Sequence, residues 1–107
     1  EHHSNYVPWH FLRSEKGAVI KFAPVNDNGD VEIDEIKKLI SNKTKIIAIT
    51  HISNVTGAVL PIKEIVNLAK EKNIPVLIDG TQGAPHSHID MQNIECDFYA
   101  VFQMRIV

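Results

Sequence analysis

The stretch Val76-Leu77-Ile78-Asp79-Gly80-Thr81-Gln82-Gly83-Ala84 decides the fold, because in it an apolar run ends in a carboxylate, a glycine and small polar residues. This pattern is typical of a buried parallel strand whose C-terminal tip faces a ligand. Pro75 precedes the run, at a strand's first position, where a missing N–H is tolerated. A carboxylate at the end of a buried strand is costly unless a cation or a hydrogen-bond donor meets it. Asp79 is therefore interpreted either as a ligand-binding group or as an ordinary turn or helix-capping residue.

Apolar periodicity on both sides of this strand predicts helices and strands in alternation. The predicted helices cover residues 5–14, 34–40 and 61–72, with Ser4 or Asn5 capping the first and Asp34 capping the second. The predicted strands cover residues 18–25, 44–50, 76–79 and 97–102, and residues 83–90 form a loop or irregular helix. Such alternation indicates an α/β fold with a mainly parallel sheet and right-handed crossovers.

Composition narrows the class of protein. A chain of 107 residues makes at most one domain, and its net charge of −2 gives no sign of a nucleic-acid or membrane surface. No apolar run approaches the roughly 20 residues that span a bilayer. The single cysteine, Cys96, excludes an internal disulfide and favours a reducing compartment, for which we expect the cytoplasm.

Polar residues follow two of the predicted strands, at the edge where α/β sheets bind ligands. The first cluster is His51-Ile52-Ser53-Asn54, and the second is Asp79-Gly80-Thr81-Gln82. Together with the segment before the first helix, these clusters would bring four side chains to the same edge of the sheet: His2, Asn54, Asp79 and Gln82. These residue types suit pyridoxal phosphate. A carboxylate can pair with the ring nitrogen of this cofactor, an imidazole can stack on the face of its ring, and amides can bind its phenolic oxygen and the carboxylate of a substrate. Spacing alone leaves open whether the four converge.

Several separated motifs also resemble one family, in the same order and at similar spacing. The similarity is to the SUF-type cysteine desulfurase and selenocysteine lyase branch of the class V aminotransferases, and it extends from residue 1 to about residue 102. The motifs are Glu1-His2-His3-Ser4-Asn5-Tyr6-Val7-Pro8-Trp9, Asn28-Gly29-Asp30, Lys43-Thr44-Lys45, Thr50-His51-Ile52-Ser53-Asn54-Val55-Thr56-Gly57, Val76-Leu77-Ile78-Asp79-Gly80-Thr81-Gln82, Ala84-Pro85-His86 and Cys96-Asp97-Phe98-Tyr99.

The resemblance implies a fold type I enzyme that depends on pyridoxal 5'-phosphate, with residues 1–102 as part of its large cofactor-binding domain. Such enzymes are usually homodimers. They take sulfur from L-cysteine, or selenium from L-selenocysteine, and leave L-alanine and an enzyme-bound persulfide. The sulfur then goes to an acceptor protein and to iron–sulfur cluster assembly.

The resemblance also implies roles for the four side chains. His2 would stack on the pyridine ring, and Asp79 would pair with the ring nitrogen. Gln82 would hydrogen-bond the phenolic oxygen. Asn54 would bind the substrate carboxylate and contact the same oxygen.

The end of the chain departs from the family, which continues with Phe-Ser-Gly-His-Lys or close to it after the last strand, whereas this sequence reads Tyr99-Ala100-Val101-Phe102-Gln103-Met104-Arg105-Ile106-Val107. Arg105 falls at the position of the Schiff-base lysine, or Ile106 does if one residue is inserted. Arginine stays protonated and cannot form the imine. Residues 103–107 are interpreted as a divergent, truncated tail, consistent with a frameshift. With the nucleophilic cysteine also absent, we expect no catalytic residue in this stretch and no activity of the chain by itself, and its cofactor binding stays open.

Two other functions remain open. The chain could be a non-catalytic interaction module that pairs with full-length desulfurase subunits. It could also be a small metal hydrolase that uses Asp79 and histidines such as His86 and His88, although no cysteine or histidine set has the spacing of a tetrahedral zinc site. Cys96 abuts an apolar strand and is interpreted as a buried structural cysteine rather than a reactive thiol.

Overall fold

The computed structural model describes residues 5–53, 55–83 and 90–101. The helices are α1 (Val7–Lys16), α2 (Ile33–Leu39), α3 (Ile62–Glu71) and α4 (Met91–Ile94), and the strands are β1 (Ile47–Thr50), β2 (Val76–Asp79) and β3 (Phe98–Ala100). The predicted α/β alternation is confirmed. Within these ranges, no helix combines the length and apolarity needed to cross a membrane.

The three described strands form one parallel sheet in the order β1-β2-β3, with β2 in the centre. Parallel neighbours need crossover connections, and α3 lies in the first crossover and α4 in the second. The register pairs Thr50 with Asp79 and Asp79 with Ala100. The carboxyl ends of all three strands therefore lie at the same level.

The core is a cluster that joins one face of α3 to the inward-pointing residues of β2 and to Ile36 of α2. Ile65 and Ile78 are 0% exposed, and Val66 and Val76 are 1% exposed. The buried residues of α3 recur at helical spacing, as the apolar stripe predicted, and Leu68 packs against the cluster while only partly buried. Burial of β2 on a central position of the sheet explains its apolar run.

Polar contacts attach α4 and β3 to the rest of the fold. Lys63 of α3 donates to the side-chain oxygen of Asn93 at 2.9 Å, and Lys70 forms an ion pair with Glu95. At the start of β2, the amide of Val76 donates to Asp97 Oδ2 at 2.8 Å. Because Lys70 and Glu95 are exposed, their ion pair orients α4 more than it stabilises the fold.

The prediction of a strand over residues 18–25 is wrong, since this segment forms neither strand nor helix. Val19 is 82% exposed, Phe22 54% and Val25 59%. Apolar composition favours a strand, but a strand also needs a neighbour with which to exchange hydrogen bonds, and no described strand pairs with this segment.

Two predicted helix caps are also wrong. The N-cap of α2 is Glu32, which is extended, and Asp34 lies in the first helical turn, where its charge still suits the helix dipole. The N-cap of α1 is Tyr6, without a side-chain cap, and Asn5 instead accepts a hydrogen bond from Trp9. Gly17 ends α1 in the left-handed conformation, which glycine adopts without steric cost.

Replacing Ile65 by alanine should destabilise the chain strongly, because the side chain is fully buried in the cluster. We expect the free energy of unfolding, measured by urea denaturation, to fall by about 3 kcal/mol. Val55→Ala, at a position 83% exposed, should change it by no more than about 0.5 kcal/mol. Equal effects of the two substitutions would contradict the assigned core.

Candidate functional site

The carboxyl edge of the sheet brings together residues that follow three strands. The ladder continues one residue past the strand ends, because the amide of His51 donates to Asp79 O at 2.9 Å and the amide of Gly80 donates to Ala100 O at 2.7 Å. These two bonds fix the backbone directions in which the chain leaves β1 and β2. The side chains of this edge are therefore placed by the sheet itself.

Asp79 is only 3% exposed, at the end of the central strand. The amide and the hydroxyl of Thr81 both donate to its Oδ1, at 3.0 and 2.7 Å. The turn role considered for Asp79 is thus present, since the carboxylate closes a turn onto the residue two positions later. However, none of the ion pairs among the described residues involves Asp79, and a buried aspartate without a charged partner is uncommon. The arrangement suits an additional cationic group at this carboxylate.

His51 and Tyr99 form a second feature of the edge. The Tyr99 hydroxyl lies 3.0 Å from His51 Nδ1, within hydrogen-bond distance, and the two rings meet edge to face at 83°. Burial lowers the pKa of His51. Burial, with the neighbouring charges of Cys96 and Asp79, raises the pKa of Tyr99. Both side chains are therefore neutral at pH 7.

The turn after Asp79 passes unusually close to this pair. A Cβ atom added to Gly80 would lie 1.9 Å from Tyr99 Cε1, and one added to Gly83 would lie 2.5 Å from His51 Nδ1. Only glycine permits such an approach at these two positions. The turn is thus built against the aromatic pair.

The predicted site residues are only partly covered by the described chain. Asp79 and Gln82 lie on one turn at the carboxyl edge, and Gln82 is half-buried there. His2 and Asn54 lie outside the described residues. The predicted meeting of all four side chains therefore stays a prediction.

The sequence prediction placed His51 and Thr81 in the polar clusters of this edge without giving them a role, and it missed Tyr99. One available signal was the pair of glycines at positions 80 and 83, since glycines around a strand-end carboxylate indicate a close approach of the backbone. Tyr99 has no such local signal, because it reaches this edge only through the parallel register, which pairs it with Ile78.

The metal interpretation gains no support from the described part of the chain, which contains no group of three or more His, Cys, Asp or Glu residues arranged to hold a metal ion. His86 and His88 lie outside it. Cys96 is partly rather than fully buried and packs against the core, and burial raises the pKa of its thiol. A raised thiol pKa lowers the thiolate fraction and fits a structural role.

Residues 1–102 match the family model of the class V aminotransferases. The chain therefore belongs to the class V aminotransferase family.

Curated relatives narrow the comparison to one kind of enzyme. The chain is 45% identical over 100 residues to a probable cysteine desulfurase of Halalkalibacterium halodurans, covering 94% of this chain and 25% of that protein. It is 44% identical over 99 residues to a cysteine desulfurase of Synechococcus elongatus, covering 92% of this chain and 16% of that protein.

Solved structures similar to this chain also include a cysteine desulfurase. The cysteine desulfurase CsdA of Escherichia coli superposes with a TM-score of 0.87 at 34% identity, over 92% of this chain and 25% of that one. SspA in complex with cysteine superposes with a TM-score of 0.87 at 28% identity, over 94% of this chain and 29% of that one. The chain spans about a quarter of the length of most of these proteins.

Gly80→Ala tests the close approach at this edge. The added methyl group would overlap the Tyr99 ring, so we expect the free energy of unfolding to fall by about 2 kcal/mol in urea denaturation. Tyr99→Ala removes the ring. In that background, Gly80→Ala should lower the free energy of unfolding by less than half as much as it does in the wild-type chain. An equal cost in both backgrounds would show that the ring is not what excludes a side chain at position 80.

Proposed function

We propose that residues 1–102 form part of the pyridoxal-phosphate-binding large domain of a cysteine desulfurase, with residues 103–107 as a divergent tail. The observation that carries the proposal is the buried carboxylate of Asp79 at the carboxyl end of the central parallel strand. The family match over residues 1–102 and the desulfurase names of the relatives support it.

The described residues fit this cofactor. The class V aminotransferases depend on pyridoxal phosphate, whose protonated ring nitrogen needs a buried anion. Asp79 provides one whose described hydrogen-bond donors, the amide and hydroxyl of Thr81, are neutral. When bound, the cofactor supplies an electron sink for chemistry at the α-carbon of an amino acid.

Each residue of this chain then has a binding or proton-holding task. Asp79 holds the proton at the ring nitrogen, since an anion beside that nitrogen favours its charged form. Gln82, on the same turn, donates to the phenolic oxygen. His2 packs on the ring face, and Asn54 binds the carboxylate of the substrate.

The chain supplies the binding part of the chemistry and not its attachment point. Arg105, or Ile106 if one residue is inserted, falls where the family has the lysine that attaches the cofactor. Arginine stays protonated at any physiological pH and cannot replace a lysine amine. We therefore propose that the 107-residue chain has no desulfurase activity by itself.

The proposed substrate of the whole enzyme is L-cysteine, with L-selenocysteine as the variant that this chain does not distinguish. We also propose that the whole enzyme is a homodimer in the cytoplasm. It would pass sulfur to an acceptor protein and so supply iron–sulfur clusters. The lone cysteine supports a reducing compartment. The names of the relatives support the substrate.

A chimera tests the proposed roles in a complete protein. Residues 1–102 of this chain replace the matching segment of the Halalkalibacterium halodurans relative, which keeps its own sequence on both sides. In the presence of dithiothreitol, which reduces the enzyme-bound persulfide to sulfide, we expect the chimera to convert cysteine to alanine and sulfide. Asp79→Asn should lower the rate by about a hundredfold or more, because an amide cannot hold the ring nitrogen's proton as an anion does.

Asp27→Asn is the matched control, since it makes the same change at an exposed turn position. We expect it to leave the rate of the chimera within about twofold. If Asp79→Asn has no more effect than this control in an active chimera, Asp79 does not serve the cofactor and the proposed function is wrong.

The isolated chain gives an independent test. The purified 107-residue chain, supplied with pyridoxal phosphate and cysteine, should release no alanine or sulfide above a blank without protein. The reason is the arginine at position 105. Release above the blank would overturn the proposed division of the chemistry.

The exposed apolar side chains favour a second candidate, a non-catalytic module that pairs with a full-length desulfurase. Among the described residues, Phe11 is 62% exposed, Phe22 54% and Phe98 55%. Apolar surface of this kind indicates a partner when it is contiguous. Size-exclusion chromatography with the full-length relative distinguishes the two: co-elution supports the module, and an unchanged monomer contradicts it.

A further inference from the structure

The turn that carries Asp79 and Gln82 is held in place by two side chains to which the family resemblance gives no role. We propose that His51 and Tyr99 are a positioning pair that orients the turn Gly80–Gly83, and with it the carboxylate of Asp79 and the amide of Gln82, towards the cofactor. The pair touches neither reacting atoms nor cofactor in this assignment, and it acts through the turn.

The backbone of the turn contacts the ring of Tyr99. A Cβ atom at Gly80 would lie 1.9, 2.1 and 2.4 Å from Cε1, Cζ and the hydroxyl oxygen of Tyr99. The backbone of the turn therefore lies directly against the outer half of the ring. A ring at this distance limits where the peptide after Asp79 can move.

His51 holds the ring of Tyr99 in place. The Tyr99 hydroxyl lies 3.0 Å from His51 Nδ1. The main chain of His51 is itself fixed on both sides, because its amide donates to Asp79 O at 2.9 Å and its carbonyl accepts from the amide of Leu60 at 2.9 Å. Tyr99 is thus tied to the end of β1 as well as to β3.

These contacts form a closed ring of interactions that begins and ends at Asp79. From Asp79 it runs through a main-chain bond to His51, through the side-chain bond to Tyr99, through ring contact to Gly80, and through the peptide bond back to Asp79. Asp79 and Tyr99 belong to β2 and β3, and His51 directly follows β1. The two hydrogen bonds from Thr81 hold the carboxylate on this fixed backbone, so it has little freedom to rotate away from a bound cofactor ring.

The neutrality of the pair suits this task. Burial lowers the pKa of His51 and raises that of Tyr99, so neither carries a charge at pH 7. A cationic imidazole at this edge would compete for the negative charge of Asp79. The neutral pair leaves that charge for the ring nitrogen.

Amide hydrogen exchange of the 107-residue chain, followed by NMR, tests the pair without cofactor. The reporters are the amides of Gly80 and Thr81, which the structure bonds to Ala100 O and Asp79 Oδ1. Tyr99→Phe keeps the ring and removes only the hydroxyl. We expect both amides to exchange about tenfold faster, because the loss of one hydrogen bond has roughly this effect on a local opening. The core amides of Ile65 and Val66 should be unchanged.

Three further variants separate positioning from general stability. His51→Ala should match Tyr99→Phe, and the double variant should be no worse than either, because one bond joins the two side chains. His51→Asn should restore protection, since its side-chain amide reaches about as far as Nδ1. Tyr6→Phe is the matched control, which removes a hydroxyl from a tyrosine of α1's N-cap and should leave Gly80 and Thr81 unchanged.

The exchange results decide the inference. It is overturned if Gly80 and Thr81 exchange within twofold of the wild type in Tyr99→Phe, or if Ile65 and Val66 accelerate equally. Unprotected Gly80 and Thr81 amides in the wild-type chain would overturn it too, since no ordered turn would then exist to be held.

The use of the turn for a cofactor rests on the proposed function, and the chimera tests that part separately. In the chimera we expect Tyr99→Phe to lower the amount of pyridoxal phosphate retained on dialysis about fivefold. We expect His51→Asn to retain about as much pyridoxal phosphate as the unsubstituted chimera. If Asp79→Asn leaves retention and activity unchanged while the exchange results hold, the proposed function fails and the positioning pair stands. If retention is lost only with Asp79→Asn, the pair does not serve the cofactor.

Discussion

The parallel ladder on both sides of β2 is the constraint on which the rest of the structure depends. It aligns Thr50, Asp79 and Ala100 at one level and continues past the strand ends through the amides of His51 and Gly80. Because hydrogen bonds from two neighbours fix the same strand, its C-terminal residue cannot shift without breaking both pairings. The core on α3 and the functional edge are consequences of the central position of this strand.

The energetics of Asp79 explain why the edge indicates binding rather than stability. Burying a carboxylate costs free energy, and the two hydrogen bonds from Thr81 offset only part of that cost. An apolar or small residue at this position would serve the fold better. A buried anion kept at a strand end is more simply explained by a cationic ligand, and the protonated ring of pyridoxal phosphate is the one that the family implies.

The chain corresponds to about a quarter of its relatives, yet the part it contains is a coherent one. The residues that would hold the cofactor ring follow β1 and β2 or precede α1, and the sheet that positions two of these elements lies within the described residues. We propose that residues 103–107 lack the lysine that attaches the cofactor in the family, since no lysine occurs among them.

The sequence by itself determined the elements whose signals are local: the apolar run of β2, the helical stripe of α3, the glycine that ends α1, the strand-end carboxylate and the motifs of the family. It did not determine the partners of those elements. Residues 18–25 have strand composition but no described neighbour, and the N-cap of α2 is Glu32 rather than Asp34. His51 and Tyr99 are 48 positions apart, so only the register of the sheet could bring them to 3.0 Å. Strand pairing and close packing are decided by contacts between distant segments, and local sequence patterns contain no direct signal of them.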